Sequence, residues 1–248
     1  MKHPSIFIAL CGLFVLSACG SASAIGCERV TYLANDYTIC SAPPDADIRL
    51  FLNRENGNPL ASFEAVNARL AKTDEQLLFA MNAGMYHEDR SPVGLYVEEG
   101  TQQTSINLAT GGGNFGLVPN GVFYIGEGEA AVAETSVFAE TAPDVIYATQ
   151  SGPMLVINGA LHPKFNADGT SKKRRNGVGI SEDGTTIYFA ITEQPVNFHT
   201  FASLFRDHLQ TPNALFLDGT ISRLYDPANN RNDPGLAMGP IIGIVAPK

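Results

Sequence analysis

Along this chain, short apolar runs alternate with turn-forming residues at the spacing expected of strands. Runs at 48–53, 77–81, 94–97, 115–118, 122–125, 145–148, 154–157, 177–181, 186–191, 214–217 and 241–245 are bounded by Gly, Pro, Asn, Asp or Ser, the punctuation of a strand-rich fold. Two hairpins are expected, "VPNGVFYI" turning at Asn120-Gly121 and "GISEDGTTIYFAI" turning at Asp183-Gly184. Two segments carry helical period instead. In "PLASFEAVNARLAKT", Phe63, Val66 and Leu70 fall at i, i+3 and i+7, with Pro59 suited to the first turn and Lys72 near the end. In "NFHTFASLFRDHLQ", Phe201, Leu204, Phe205 and either His208 or Leu209 share one face. This second helix lies between "FAITEQP" and "NALFLDG", and a strand, a helix and a strand in that order suggest a crossover that leaves both strand ends on one side of a sheet. The expected fold is α+β, a strand-rich single domain with a mixed β-sheet core and a few packed helices.

The start of the chain has a different pattern. Met1-Lys2-His3 is a short positive start, and the apolar run at 6–16 is too short to span a bilayer as a mature helix, so it reads as a signal peptide. Its end, "LSAC" at 16–19, resembles the lipobox of bacterial lipoproteins, in which the cysteine is acylated and becomes the first mature residue; a plain signal cleaved after "SASA" at 21–24 is the alternative. The organisation is then a signal peptide at 1–18, a lipidated start and linker at 19–30 beginning with Cys19, and one domain at 31–248. Gly20 after the cysteine points to outer-membrane anchoring and a periplasmic location.

With 248 residues, 44% of them hydrophobic, the chain can bury one large core. Loss of Lys2 with the signal takes the net charge from −9 to −10, and no basic stripe exists to neutralise successive phosphates, so nucleic acid is not an expected partner. Cys11 leaves with the signal and Cys19 carries lipid. Cys27 and Cys40 then remain as a pair in an oxidising compartment, where a disulfide is the simplest assignment and zinc binding by two lone cysteines a poor one.

Five loop segments could carry chemistry, each beginning where an apolar run stops. "FAMNAGMYHEDRSPVG" places Asn82 and Gly84 after a strand, where a glycine lets the backbone approach a ligand closely. "TGGGNFG" sets three glycines before Asn114, and "ATQSGPMLVINGALHP" sets Ser151-Gly152-Pro153 before a strand. "KKRRNGVGI" gathers four cations, of which Arg175 borders the apolar strand and is expected to turn inward. "LFLDGTIS" delivers Asp218, Gly219 and Ser222. Singly, each is an ordinary turn or a solvated charge run.

In company and in this order, "NAGMY", "SGPMLVINGALHP", "RRNGVGISEDG", "FAITEQPVNFHTFASLF" and "NALFLDGTIS" resemble the phosphodiester glycosidase family, whose members include the lysosomal uncovering enzyme that removes N-acetylglucosamine from a phosphodiester to mannose. The resemblance covers roughly 77–240. It departs from the family pattern in two places: the common Asp-Gly-Gly-Gly-Ser is Asp218-Gly219-Thr220-Ile221-Ser222 here, and the usual Asp-Gly after the preceding strand is Glu193-Gln194.

The resemblance implies a hydrolase that cleaves the glycosidic bond of a sugar-1-phosphodiester. A phosphate monoester, with a second pKa of about 6, leaves far more readily than a sugar alkoxide. Such a site therefore needs donors around the phosphate and a carboxylate near the anomeric carbon more than a strong acid. Arg175 is the expected phosphate clamp, aided by amides around Gly84, Gly152 and Gly219. Asp218 is the expected base or nucleophile and Glu193 the acid or a sugar ligand. Asn82, Asn114, Ser151 and Ser222 would hold sugar hydroxyls or phosphate oxygens. No cofactor is expected; the oxygen-rich set also suits calcium or another divalent metal, but no EF-hand spacing appears and metal is left unassigned. The expected partner is a small glycosyl phosphodiester or an envelope glycan. The rival readings are a non-catalytic envelope lipoprotein that holds a glycan or phosphoglycan, and another envelope enzyme. The enzymatic reading requires that residues 175, 193 and 218 face one hollow.

Overall fold

The computed structural model describes residues 25–218 and 221–248. The signal segment, Cys19 and the linker up to Ala24 lie outside the described residues, as does Gly219. In chain order, the seven-stranded first sheet contains β1 (Gly26–Tyr32), β2 (Asn35–Ala42), β10 (Met154–Ile157), β11 (Ala160–Leu161), β12 (Asn176–Ile180), β13 (Ile187–Thr192) and β14 (Asn213–Phe216), arranged β1-β2-β13-β12-β14-β10-β11. A second sheet of five, ordered β16-β15-β4-β17-β3, uses β3 (Ile48–Phe51), β4 (Glu75–Asn82), β15 (Leu224–Asp226), β16 (Arg231–Asn232) and β17 (Ile241–Pro247). A third, ordered β6-β5-β9-β7-β8, uses β5 (Tyr96–Glu98), β6 (Thr101–Thr104), β7 (Gly121–Ile125), β8 (Ala130–Glu134) and β9 (Tyr147–Ser151). The strand-rich α+β single domain is observed. The mixed sheet is not: adjacent strands in all three sheets pair antiparallel.

Alternation along the first sheet gives it two buried faces. Val178, Phe189, Ile191 and Leu215 point to a common core with Phe79, Met81 and Ile242 of the second sheet and Tyr96 and Phe123 of the third. On the opposite face Tyr37, Ile39, Ala190, Ala214 and Phe216 pack on the third helix, α3 (Phe198–Ser203; α2 spans Thr135–Thr141), and the π turn at Leu204–His208 that continues it. Phe201, Leu204 and Phe205 lie on the buried side, as their spacing predicts, while His208 is exposed, its ring tilted against Tyr32 with centroids 5.4 Å apart. The first helix, α1 (Phe63–Leu70), buries Phe63, Val66 and Leu70, each contributing roughly 1.5–3 kcal/mol, and is capped by Ser62, whose hydroxyl accepts from the Ala65 amide at 3.2 Å. Pro59 is not in its first turn; it bridges Asn53 instead.

The Asp183-Gly184 hairpin forms as expected between β12 and β13, with Gly184 at φ +71°. The Asn120-Gly121 hairpin does not. Residues 115–118 are turns, the Asn120 side chain donates to the Phe115 carbonyl at 3.0 Å, and β7 starting at Gly121 pairs with β8 and β9. The disulfide between Cys27 and Cys40 is present and joins opposed residues of the β1–β2 hairpin.

Candidate functional site

One edge of the first sheet gathers the segments singled out by sequence. β13 and β14 both run antiparallel to β12, which lies between them, so they are parallel to each other and α3 is the expected crossover. Glu193 follows the end of β13, Asp218 follows β14 by two residues, and Arg175 precedes β12 at that same edge. The edge is closed against the second sheet at one point, where the Asp218 amide donates to the Ala83 carbonyl at 3.0 Å, just past β4.

A buried amide clamp fixes the chain where it leaves β14. Asn82 and Asn176 are both fully buried. Asn82 Nδ2 donates to Asn176 Oδ1 and to the Asp218 carbonyl, each at 3.2 Å, while its Oδ1 accepts the Arg223 amide at 2.9 Å. Asn176 Nδ2 donates in return to the Asn82 carbonyl at 2.9 Å. Ser222 Oγ lies within donating distance of the Arg174 carbonyl (3.2 Å) and Asn176 Oδ1 (3.3 Å). In the low-dielectric interior every one of these groups must be paired. Asn82 and Ser222, expected as substrate ligands, spend their polar atoms within the protein, pinning the chain at Asp218 and again at Ser222 and Arg223. Asn176 was missed by sequence reasoning although it stands in the quoted "RRNGVGI". The signal was strand alternation, which sends it and Arg175 to opposite faces.

Asp218 is 8% exposed. Tyr86, in the segment leaving β4, donates its hydroxyl to the Ala237 carbonyl at 3.4 Å and stands beside the Asp218 carboxylate, whose charge acts on the phenol. Its ring occupies space that any side chain at Gly239 would overlap. Burial first, and then the negative charge of Asp218, pushes the phenol up to about 12, so it stays a donor at neutral pH. The Arg90 guanidinium stands 5.3 Å from the centre of the Tyr86 ring, carried on a backbone at φ +76° in the turn closed by His87 and Ser91. Tyr86 and Arg90 were also unassigned by sequence, although both belong to the stretch that contains Asn82 and Gly84.

Arg175 turns inward as expected, but into the core rather than a hollow. At 1% exposure it is the largest fully buried side chain. Its Nε donates to the Val196 carbonyl at 2.9 Å and its NH2 to the Ser171 carbonyl at 3.0 Å, and the guanidinium stacks 3.6 Å over the Phe198 ring with Phe216 at 5.5 Å. Among the described residues it forms no ion pair. Burial pulls its pKa down to about 10, which still leaves it cationic at neutral pH. This arrangement offers a phosphate no open face.

Glu193 is engaged elsewhere. Its Oε1 accepts from Thr38 Oγ1 and Arg231 NH1, both at 2.6 Å, and its Oε2 lies 3.6 Å from Arg174 NH2. Asp233 completes a four-member charge cluster, 3.2 Å from Arg174 and 2.9 Å from Arg231. Three of its members, Glu193, Arg231 and Asp233, line a basin of about 750 Å³.

Arg175, Glu193 and Asp218 therefore share a sheet edge through their backbones but not one hollow through their side chains. Arg175 packs on the helix face, Glu193 joins Arg174 and Arg231, and Asp218 faces Tyr86. The carboxylates are not set as a facing pair with a common cation, which corrects the arrangement expected from sequence.

The other expected ligands are mixed in their placement. The Gly84 amide donates to Thr149 Oγ1 at 3.1 Å, and a Cβ there would collide with Thr149 and the Gln150 carbonyl, so the close approach is to β9. At Gly152 a Cβ would stand 2.6 Å from the Asn120 Cβ. Asn114 is exposed in the 107–119 loop, where its carbonyl accepts the Leu117 amide. Ser151 is fully buried and its hydroxyl has no partner among the described residues, leaving it as an expected ligand with unused hydrogen-bonding capacity.

Comparison with known proteins agrees with this architecture. The chain is 35% identical over 220 residues to the uncharacterized protein YigE of Escherichia coli (strain K12), covering 89% of this chain and 84% of that one. Among solved structures it is similar to the catalytic domain of zebrafish N-acetylglucosamine-1-phosphodiester alpha-N-acetylglucosaminidase, auto-inhibited by its pro-peptide. The TM-score is 0.61 and the identity 15%, over 89% of this chain and 82% of that one, a likeness of fold. The sequence model of phosphodiester glycosidases matches residues 75–244. The chain thus belongs to the phosphodiester glycosidase family.

Proposed function

We propose that the protein hydrolyses the glycosidic bond of a sugar-1-phosphodiester in the bacterial cell envelope, with Asp218 as the carboxylate at the anomeric carbon. The observation that carries this reading is the amide clamp: two fully buried asparagines hold the backbone at Asp218, whose carboxylate stands beside the Tyr86 hydroxyl. A carboxylate acting at an oxocarbenium-like centre must be placed before the substrate arrives, because reorganisation during reaction raises the barrier. Tyr86 orients it. Arg90, half-buried beside Tyr86, supplies the cation for the phosphate in the place first assigned to Arg175, and the buried Ser151 hydroxyl is a further donor. Glu193, bound to two guanidiniums, sets the position of Arg174 and Arg231 and does not serve as the acid; a departing phosphate monoester needs little acid assistance. We further propose that Cys19 is acylated and anchors the domain to the outer membrane from the periplasm.

A non-catalytic glycan-binding lipoprotein is the second reading, favoured by the closed setting of Arg175 and the full pairing of Glu193. The two are separated by assaying sugar release from a panel of glycosyl phosphodiesters, including an N-acetylglucosamine-1-phosphodiester, with wild type and Asp218→Asn. The expected result is release by wild type and a loss of about 100-fold or more in the variant, of the size seen for a removed reacting group, at unchanged melting temperature. Equal rates, or no release from any member of the panel, would overturn the hydrolase reading.

A further inference from the structure

The basin walled by Glu193 is a second feature of the molecule, apart from the Asp218 carboxylate. It lies between two hairpins of different sheets, β1–β2 and β15–β16. Its walls carry Glu28, Arg29, Thr38, Asp226, Asn229 and Asn232 besides Glu193, Arg231 and Asp233, with no aromatic or aliphatic side chain among them. At about 750 Å³ it falls in the size range of small-molecule sites, ~300–1,000 Å³.

The floor is rigid. Arg231 donates to Thr38, Glu193 and both oxygens of Asp233, tying the two hairpins together. Asn229 Nδ2 makes a second tie, lying 2.7 Å from Asp226 Oδ2 and 3.2 Å from the Cys27 carbonyl, and the disulfide locks Cys27 to the neighbouring strand. Planar amides, carboxylates and guanidiniums held in fixed positions present alternating donors and acceptors, and little side-chain entropy is left to lose on binding.

Charge selects the ligand. Four carboxylates line the basin against the guanidiniums of Arg29 and Arg231, and Arg231 is already committed to Glu193 and Asp233. An anion is repelled there, and an apolar ligand finds nothing to bury against. A neutral polyhydroxylated ring, whose vicinal hydroxyls each donate and accept, matches such a wall. The basin also adjoins the segment that carries Asp218, because Arg174 reaches Glu193 and Asp233 with its guanidinium while its carbonyl lies within hydrogen-bond reach of Ser222.

We propose that this basin is a binding site for uncharged glycan, and that it holds the sugar on the alcohol side of the phosphodiester. Its place on the alcohol side rests on the hydrolase reading of Asp218; glycan binding itself does not. Arg29 is the position at which to test it. It pairs directly with Thr38 in the hairpin register, so its exposed side chain shares the face that looks onto Glu193 and Arg231, and it makes no side-chain hydrogen bond or ion pair of its own among the described residues.

The experiment is saturation-transfer NMR with neutral disaccharides (chitobiose, cellobiose and maltose) at about 10 mM, a concentration that fills a site with Kd near 1 mM. It is run on the protein itself, on Arg29→Trp, which places a large ring in the basin, and on Asp218→Asn. Binding of at least one disaccharide to wild type and to Asp218→Asn, weakened at least tenfold in Arg29→Trp at unchanged melting temperature, is the expected outcome. It would hold even if the cleavage assay failed. No binding, equal binding to Arg29→Trp, or binding of spermidine in place of every neutral sugar would overturn the inference.

Discussion

At the scale of single residues, the contrast between Arg175 and Asn176 shows how much depends on which face a side chain takes. Both stand in "RRNGVGI", and a reading by chemistry alone favours the arginine as the functional group. The structure gives the arginine two carbonyl partners and an aromatic stack in the core, and gives the asparagine the clamp behind Asp218. This placement predicts that Arg175→Lys is not conservative. A lysine has one compact ammonium, which cannot reach two separate carbonyls and lie flat on Phe198, and its charge would be buried with less compensation. Urea denaturation should show a loss of about 2–3 kcal/mol. If Arg175 were instead an open phosphate clamp, the variant would keep its stability and lose only activity. Sequence could show that Arg175 turns inward, since it borders an apolar strand. It could not show that the cation is spent on backbone carbonyls, because Ser171 and Val196 become neighbours only through tertiary folding.

At the scale of elements, strands with a buried face and well-formed turns were legible, and those defined by tertiary context were not. β10 matches its expected span, and the β12–β13 hairpin forms at Asp183-Gly184, because alternation and turn chemistry agree there. The 115–118 run is apolar but flanked by glycines and Pro119, and it spends its bonds on turns. The β1–β2 hairpin escaped notice because its turn residues, Leu33 and Ala34, adopt φ of 47° and 57° without a glycine or asparagine to announce it. What joins the sheets is also hidden from local pattern. Asn82 ends β4 and Asn176 begins β12, 94 residues later, and their mutual bonds staple the second sheet to the first. Asn176→Ala would leave the Asn82 side chain and carbonyl short of partners in a dry interior, and a loss of about 2–4 kcal/mol is expected from two unmet groups. Chemical denaturation measures it; a change below about 0.5 kcal/mol would mean that water or relaxation replaces the clamp.

At the scale of the whole molecule, the crossover was the part of the architecture that sequence order could specify. A strand, helix and strand place two strand ends on one edge whatever lies between them, and the structure inserts β12 there. The division of that edge into an Asp218 side and a Glu193 basin could not be read, since it arises from hairpins of two sheets meeting across 150 residues or more, as in the bond from Arg231 to Thr38. The basin rim depends in turn on the disulfide. Cys27 and Cys40 are 13 residues apart, so the bridge removes loop-closure entropy worth about 3 kcal/mol from the unfolded chain. In a domain of this size that corresponds to a fall of roughly 6–12 °C in melting temperature on reduction. The effect should be local as well as global. β1 is an edge strand paired only with β2, so reduction loosens the strand that carries Arg29 and Cys27 while the clamp at Asp218, on other strands, is untouched. Hydrogen exchange on the oxidised and reduced protein distinguishes the cases: protection should drop in β1 and β2 and persist at Asn82 and Asn176. Uniform loss across all three sheets would show that the hairpin supports the entire fold, and unchanged exchange and melting would show that the bridge restrains nothing the hairpin bonds do not already hold.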